Sequence, residues 1–272
     1  MTVPPEHLLF DRGHIRRAFA RAAQGYDAAA TLQHAVEAHL LESLDYLDQR
    51  QPAHAPQVVL DVGSGPGRAA LAMQQRWPKA QVLALDLALP MLRAAPKPLG
   101  WRPLRRRVQR VCADARALPL AEHCVDVLFS NLCLQWVDDL PAVFAGFRRV
   151  LKPGGLLLVS TFGADTLHEL RSAFAQADAA PHVSPFVGIA QFGDALMAAG
   201  FRDPVLDRDA TTHGYPDLAA LMRELRAIGA TNALRARRHT LTGKARFARA
   251  AAAYAVQAGA DRPLPATWET IT

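Results

Sequence analysis

Apolar residues recur with two different periods along this chain. From His14 to Leu47 they return at near-helical spacing, as at Leu32, Val36, Leu40 and Leu44, with a break around Gly25-Tyr26-Asp27; this predicts two helices ahead of the core. A short proline-bounded linker, Pro52 to Pro56, follows. The pattern then changes to short apolar runs at 57–62, 81–86, 108–112, 125–130 and 155–161, which predict strands separated by helices. Such alternation predicts a mostly parallel, doubly wound sheet. Downstream the pattern predicts a helix over 164–177, an irregular stretch containing His182, Pro185 and Phe186, a helix stopped at Ala199-Gly200, and a sixth strand over 204–213. Asp217 reads as the cap of a helix with Leu218, Leu221, Met222, Leu225 and Ile228 on one face, leaving Arg223 and Arg226 toward its edge. A further helix is expected from Gly243 to Ala258 with Lys244, Arg246 and Arg249 on its polar side, and Thr267 to Thr272 reads as the start of a last strand.

The chain has 272 residues, enough for one α/β domain with an appended lid. Its expected parts are lid helices over 1–51, an α/β core over 52–214, and C-terminal helices with the final strand over 215–272. No run of about eighteen uninterrupted apolar residues occurs, and Met1 to Arg12 has neither a basic start nor an apolar centre, so no membrane or export signal is expected. The three cysteines, Cys112, Cys124 and Cys133, form no C-x-x-C pair; they suggest neither a disulfide framework nor a zinc site, and fit a reducing cytoplasm. A net charge of +6 suits a nucleic acid, an acidic protein or a basic proteome, and alone selects none of them. Arg102, Arg105, Arg106, Arg107 and Arg110 punctuate a stretch that reads as a solvated loop or a binding patch.

Candidate chemistry begins at the first strand. In Val58-Val59-Leu60-Asp61-Val62-Gly63-Ser64-Gly65-Pro66-Gly67 an apolar strand carrying an acid runs into three glycines at alternate positions, a turn whose backbone can come close to a ligand. The dinucleotide pattern G-x-G-x-x-G would need glycine where Arg68 stands, so the spacing argues against a diphosphate cofactor. The loop resembles that of class I methyltransferases, which implies S-adenosylmethionine, a Rossmann-like seven-stranded sheet, mostly parallel with its last strand antiparallel, helices on both faces and a helical lid. Asp86 ends the second strand, where a carboxylate can accept from both ribose hydroxyls of a nucleoside; Leu87 follows it. Asp114, with Ala115, ends the third strand where that superfamily presents an acid to the adenine amino group. Asp61, Gly63, Ser64, Gly65, Gly67 and Asn131 complete the expected cofactor set. The N-P-P-Y-like sequence common in nucleic-acid amino methyltransferases is absent after the fourth strand, which reads Ser130-Asn131-Leu132-Cys133-Leu134-Gln135-Trp136. Cys133, among apolar neighbours, reads as a packed thiol. The turn Leu151-Lys152-Pro153-Gly154-Gly155-Leu156 is structural.

A narrower resemblance covers nearly the whole chain. Ala18-Phe19-Ala20-Arg21-Ala22-Ala23 with Tyr26-Asp27, Leu85 to Leu92, Leu134-Gln135-Trp136, Ser160-Thr161-Phe162-Gly163, Tyr215-Pro216-Asp217-Leu218, Leu225 to Ala230, Leu241-Thr242-Gly243 and Leu264-Pro265-Ala266-Thr267 are similar to the malonyl-acyl-carrier-protein O-methyltransferases of biotin synthesis. The resemblance implies transfer of a methyl group to the free carboxyl of a malonyl thioester on an acyl carrier protein. It makes Tyr26 the candidate for orienting the reactants, a packed lid tyrosine being the alternative. Gln135, Trp136 and His182 are candidates for positioning the acceptor, with core packing open for Trp136 and an ordinary loop role for His182. Arg223, Arg226, Lys244, Arg246 and Arg249 are candidates for docking the acidic carrier. Two other readings stay open: a relative of the complex I assembly factor associated with arginine hydroxylation, and a cofactor-binding scaffold without turnover.

Overall fold

The computed structural model describes residues 8–50, 55–95, 107–238, 243–259 and 262–272. Three helical pieces come first: α1 (Arg12–Ala22), the single turn α2 (Tyr26–Ala29) and α3 (Thr31–Arg50). The expected break thus becomes a separate element that holds Tyr26. Then β1 (Val58–Val62), α4 (Arg68–Arg76), β2 (Gln81–Asp86), α5 (Leu89–Arg93), β3 (Gln109–Cys112), β4 (Val125–Ser130), a 3-10 turn (Leu134–Trp136), α6 (Leu140–Val150) and β5 (Leu151–Val159) build the parallel half. β6 (Thr161–Phe162), α7 (His168–Ala175), α8 (Ile189–Ala198), β7 (Arg208–Tyr215), α9 (Leu218–Ala227), α10 (Lys244–Ala258) and β8 (Leu264–Ile271) build the rest. Arg102, Arg105 and Arg106 lie outside the described residues, as does most of the proline-bounded linker.

Five strands pair in the order β3-β2-β1-β4-β5, all parallel, and three in the order β6-β8-β7, all antiparallel. β5 and β6 are one path interrupted at Ser160, so the two sheets follow the expected seven-strand plan with its fifth strand broken. At the break Ser160 turns to the segment after β4: its amide donates to Ser130 O at 2.8 Å and its hydroxyl to Asn131 Oδ1 at 2.7 Å. Alternation along β1 sends Val59 to the face covered by α3 and α4, with Leu40, Leu44 and Met73, and Leu60 and Val62 to the face packed on Phe144, Phe147 and Phe192. Phe144 meets Phe192 edge to face at 5.2 Å.

Some expected boundaries move, each for a local reason. α7 begins at His168 rather than 164 because the preceding residues run beside β8: Gly163 N donates to Glu269 O at 2.9 Å and Leu167 N to Thr267 O at 2.7 Å. The proline-glycine turn expected before the fifth strand is a bulge within β5, where Val125 pairs Leu151 and Val127 pairs Leu156. The sixth strand starts later, at Arg208. The last strand is no mere beginning: β8 pairs β7 through eight consecutive partners, from Leu264–Tyr215 to Ile271–Arg208. The cap at Asp217 is as expected, its Oδ1 accepting from Ala220 N at 2.6 Å.

Candidate cofactor and acceptor site

The glycine loop is drawn over the end of β2. Gly63 N and Ser64 N both donate to Leu85 O, at 2.8 and 3.0 Å. Gly65 N donates to Asp86 Oδ2 at 2.9 Å, and the other carboxylate oxygen accepts from Ala88 N at 2.7 Å. Asp86 therefore fixes the loop as well as ending the strand. Burial pushes its carboxyl up to about 6 despite these two N–H donors. Gly63 has φ +72°, and a Cβ there would collide with Cys133 Sγ, so both backbone conformation and space require glycine. Desolvation, reinforced by the Asp86, Asp61 and Asp114 carboxylates, pushes the Cys133 thiol up to about 12. A thiol held protonated against the loop is a packing group, not a nucleophile. Asp61, buried in β1, points to the α4 face and accepts from Ala70 N at 3.1 Å; burial raises its carboxyl well above the usual range.

The lid closes the other side. Tyr26 lies over Gly65, where an added Cβ would stand 3.7 Å from its Cε1. Burial raises its phenol, with the Asp86 and Glu37 carboxylates adding to the effect, so the hydroxyl keeps its proton and can only donate or accept hydrogen bonds. Glu37 of α3 accepts from Arg68 Nε at 3.1 Å, and burial pushes its carboxyl up to about 7 against the pull of Arg68. Asn131 ties lid to core: its Nδ2 donates to Gln33 O at 3.0 Å. Tyr26, Glu37, Asp61, Ser64, Gly65, Arg68 and Asn131 line one pocket. Glu37 and Arg68 were absent from the expected set. Glu37 follows Val36 in the apolar repeat of α3, but nothing in that repeat says which loop the helix will cover.

At the end of β3, Asp114 is held by the fork of Arg116, whose Nε and Nη2 donate at 2.9 and 2.8 Å, and by Arg12 Nη2 at 3.1 Å. Burial opposes ionisation, yet these arginines hold the carboxyl below the usual range. Ala115 packs beside the Phe144 core, and Leu87 packs with Phe10 and Ile15.

The acceptor candidates separate. Gln135 Nε2 donates to Leu132 O at 2.6 Å, while its buried Oε1 accepts no hydrogen bond among the described residues. It opens on a cavity of about 620 Å³ beside Phe10, Pro185 and Phe186. Trp136 instead packs edge-on against Phe19 at 5.5 Å and near Phe10 at 6.2 Å, and does not line that cavity. His182 stacks on Phe174 at 4.1 Å with its Nε2 2.9 Å from Asp178 Oδ1, and lines a neighbouring cavity of about 690 Å³. Arg223, Arg226 and Lys244 are exposed, whereas Arg246 faces Asp178 and Arg249 donates to Ala177 O at 2.9 Å.

This arrangement fits S-adenosylmethionine. A loop that a Cβ would obstruct, an acid at the edge of β2 and buried carboxylates beside the lid together suit a nucleoside carrying a cationic centre. A methyltransferase domain family matches residues 60–159, the parallel half of the chain, and the fold agrees with that class. A putative methyltransferase from Bacillus halodurans superposes with a TM-score of 0.57 at 18% identity over 85% of this chain and 96% of its own. Among curated proteins, the malonyl-[acyl-carrier protein] O-methyltransferase of Xylella fastidiosa (strain M23) is 62% identical over 97% of this chain and 87% of its own length. That of Gallionella capsiferriformans is 42% identical over 97% and 90%. The chain belongs to the malonyl-[acyl-carrier protein] O-methyltransferase family. It is an S-adenosylmethionine-dependent methyltransferase, and the assembly-factor reading is not favoured.

Proposed function

We propose that this enzyme transfers the methyl group of S-adenosylmethionine to the free carboxyl of malonyl-acyl carrier protein, giving the malonyl methyl ester that starts the pimeloyl moiety in biotin synthesis. The observation that carries the reading is the closure of Tyr26 over the Gly65 turn beside Asp86 and Glu37, in a chain that is 62% identical to a relative of that name. When bound, the cofactor supplies a methyl group made electrophilic by its sulfonium. A malonyl carboxylate is already ionised near neutral pH, so no residue needs to remove a proton. The site agrees: burial keeps both the Tyr26 phenol and the Cys133 thiol protonated, and neither serves as a base.

The residues instead orient and desolvate. Tyr26 can donate its O–H to a reactant, Gln135 presents its amide to the acceptor cavity, and the Asn131–Gln33 tie holds the lid against the core. Orientation of this kind is worth roughly 7–11 kcal/mol in favourable cases. Asp86 would take the ribose and Asp114, steadied by Arg116, the adenine edge. Exposed Arg223 and Arg226 on α9, with Lys244 on α10, offer a basic face to an acidic carrier. A cytoplasmic setting is consistent with the three free cysteines, Cys112, Cys124 and Cys133.

Intact mass after incubation with malonyl-carrier protein and S-adenosylmethionine tests the reading; it expects a gain of one methyl group, and an unchanged mass refutes it. Replacing Arg223 and Arg226 by Glu should raise KM for malonyl-carrier protein and leave malonyl-coenzyme A much less affected. Equal effects on both substrates would sink the docking face.

A further inference from the structure

The cavity of about 690 Å³ has no role in the chemistry above. Its walls are apolar, formed by Phe174 of α7, Val183, Pro185 and Phe186 of the following loop, and Leu9 and Leu234. Its charges are unbalanced. Arg171 reaches only carbonyl oxygens, of Ala164, Thr166 and Ser184, at 3.3 to 3.4 Å, and pairs with no carboxylate among the described residues. Asp178, with its side chain 8% exposed, spends Oδ1 on Ala180 N and on His182 Nε2. Its other oxygen is buried and accepts no hydrogen bond among the described residues. Arg238 Nε and Arg246 Nε stand 3.7 and 3.9 Å from it, beyond bonding distance. A closed structural pair looks different in this same protein, where Arg116 grips Asp114 at 2.8 Å.

Two guanidiniums, those of Arg238 and Arg246, thus share the one carboxylate of Asp178 at the cavity wall, and Arg171 lines the same cavity with no carboxylate partner among the described residues. The surplus is positive, and planar N–H forks suit phosphate oxygens. This cavity also shares Leu9, Pro185 and Phe186 with the one that Gln135 lines, so the two adjoin as one apolar track from Arg171 toward the segment that follows β4. We propose that this track holds the phosphate-bearing arm of the acyl thioester, with Arg171, Arg238 and Arg246 receiving its phosphodiester and the apolar walls receiving its methylene and amide portion. The inference rests on the malonyl-carrier reading and names the part of that substrate each residue meets.

Steady-state kinetics with three acceptors tests it: malonyl-carrier protein, malonyl-coenzyme A and malonyl-pantetheine, the last without phosphate. Replacing Arg238 and Arg246 together by Gln should raise KM for the two phosphate-bearing acceptors by about tenfold or more, the size expected for lost charge-assisted hydrogen bonds, and should leave malonyl-pantetheine within about twofold. Ala179→Trp, an exposed residue at the cavity mouth, should raise KM for all three acceptors while calorimetry shows cofactor affinity retained. Equal KM changes for all three acceptors in the arginine variant, or none in either variant, would overturn the arm site while leaving the methyltransferase reading intact. A wild-type enzyme that methylates none of the three overturns the substrate reading and this proposal with it.

Discussion

The parallel half and the antiparallel half of this molecule are built by different means. In the first, β1, the glycine loop and α4 are consecutive, and the Gly63, Ser64 and Gly65 amides donate to the end of the next strand, as in Gly65 to Asp86, 21 residues away. In the second, pairing joins distant segments: Asp165 N donates to Glu269 Oε2 at 2.7 Å across 104 residues, and Thr166 Oγ1 to Glu269 O at 3.0 Å across 103. On the proposed reading the cofactor is met by the local loop under a more distant lid, and the acceptor by long-range assembly. A site built this way can keep its methyl donor while its acceptor side changes.

The largest expected effect breaks the first half. Gly63→Ala combines a positive φ with a collision against Cys133, which together should cost about 2–5 kcal/mol and abolish cofactor binding. Urea unfolding and calorimetry measure both losses; adding Cys133→Gly should return the part due to the collision. Glu269→Ala breaks the second half instead. Glu269 is 4% exposed and also faces Arg208 Nη1 at 3.3 Å. Leaving Asp165 N without its acceptor should cost about 1–3 kcal/mol, with cofactor affinity in the folded fraction unmoved. A matching loss of cofactor affinity would show that the halves are not separable.

Acidity sharpens the comparison. Burial pushes Glu37 up to about 7 and Asp86 up to about 6, so the unliganded protein gains stability from them as pH falls through those values toward the ordinary carboxylate range. If the proposed site uses these carboxylates in their ionised form, cofactor binding should weaken over the same window. Glu37→Gln should flatten the upper limb of the affinity-pH curve, and an unchanged curve would remove Glu37 from the site. The smallest effect is at the junction: Tyr26→Phe should slow single turnover at saturating cofactor by about two- to tenfold, the worth of one hydrogen bond, with cofactor affinity nearly constant. A variant as fast as the parent makes Tyr26 a packing residue.

What could be read from the chain follows the same division. The strand-loop-helix of β1 and α4, the acid ending β2 and the cap at Asp217 are each set by neighbouring residues, and all stand where expected. Glu37 was invisible because its meaning comes from α3 lying on a loop formed some thirty positions later, beside Arg68. For Trp136 the chain left core packing and an acceptor role open, and the packing shows only once α1 places Phe19 against it. Arg238 and Arg246, which face Asp178, lie on two separated segments, and only folding gathers them.

The place of β8 between β6 and β7 has a consequence for the order of assembly. β1 to β5 lie within residues 58–159 and have all their parallel partners in that span. Thr161 and Phe162 must wait for Ile271 and Thr270 to arrive from about 110 residues downstream. During synthesis the donor-binding half can therefore form while its neighbouring edge is still bare. Pulsed hydrogen exchange should find the β1 and β4 amides protected before those of β7 and β8.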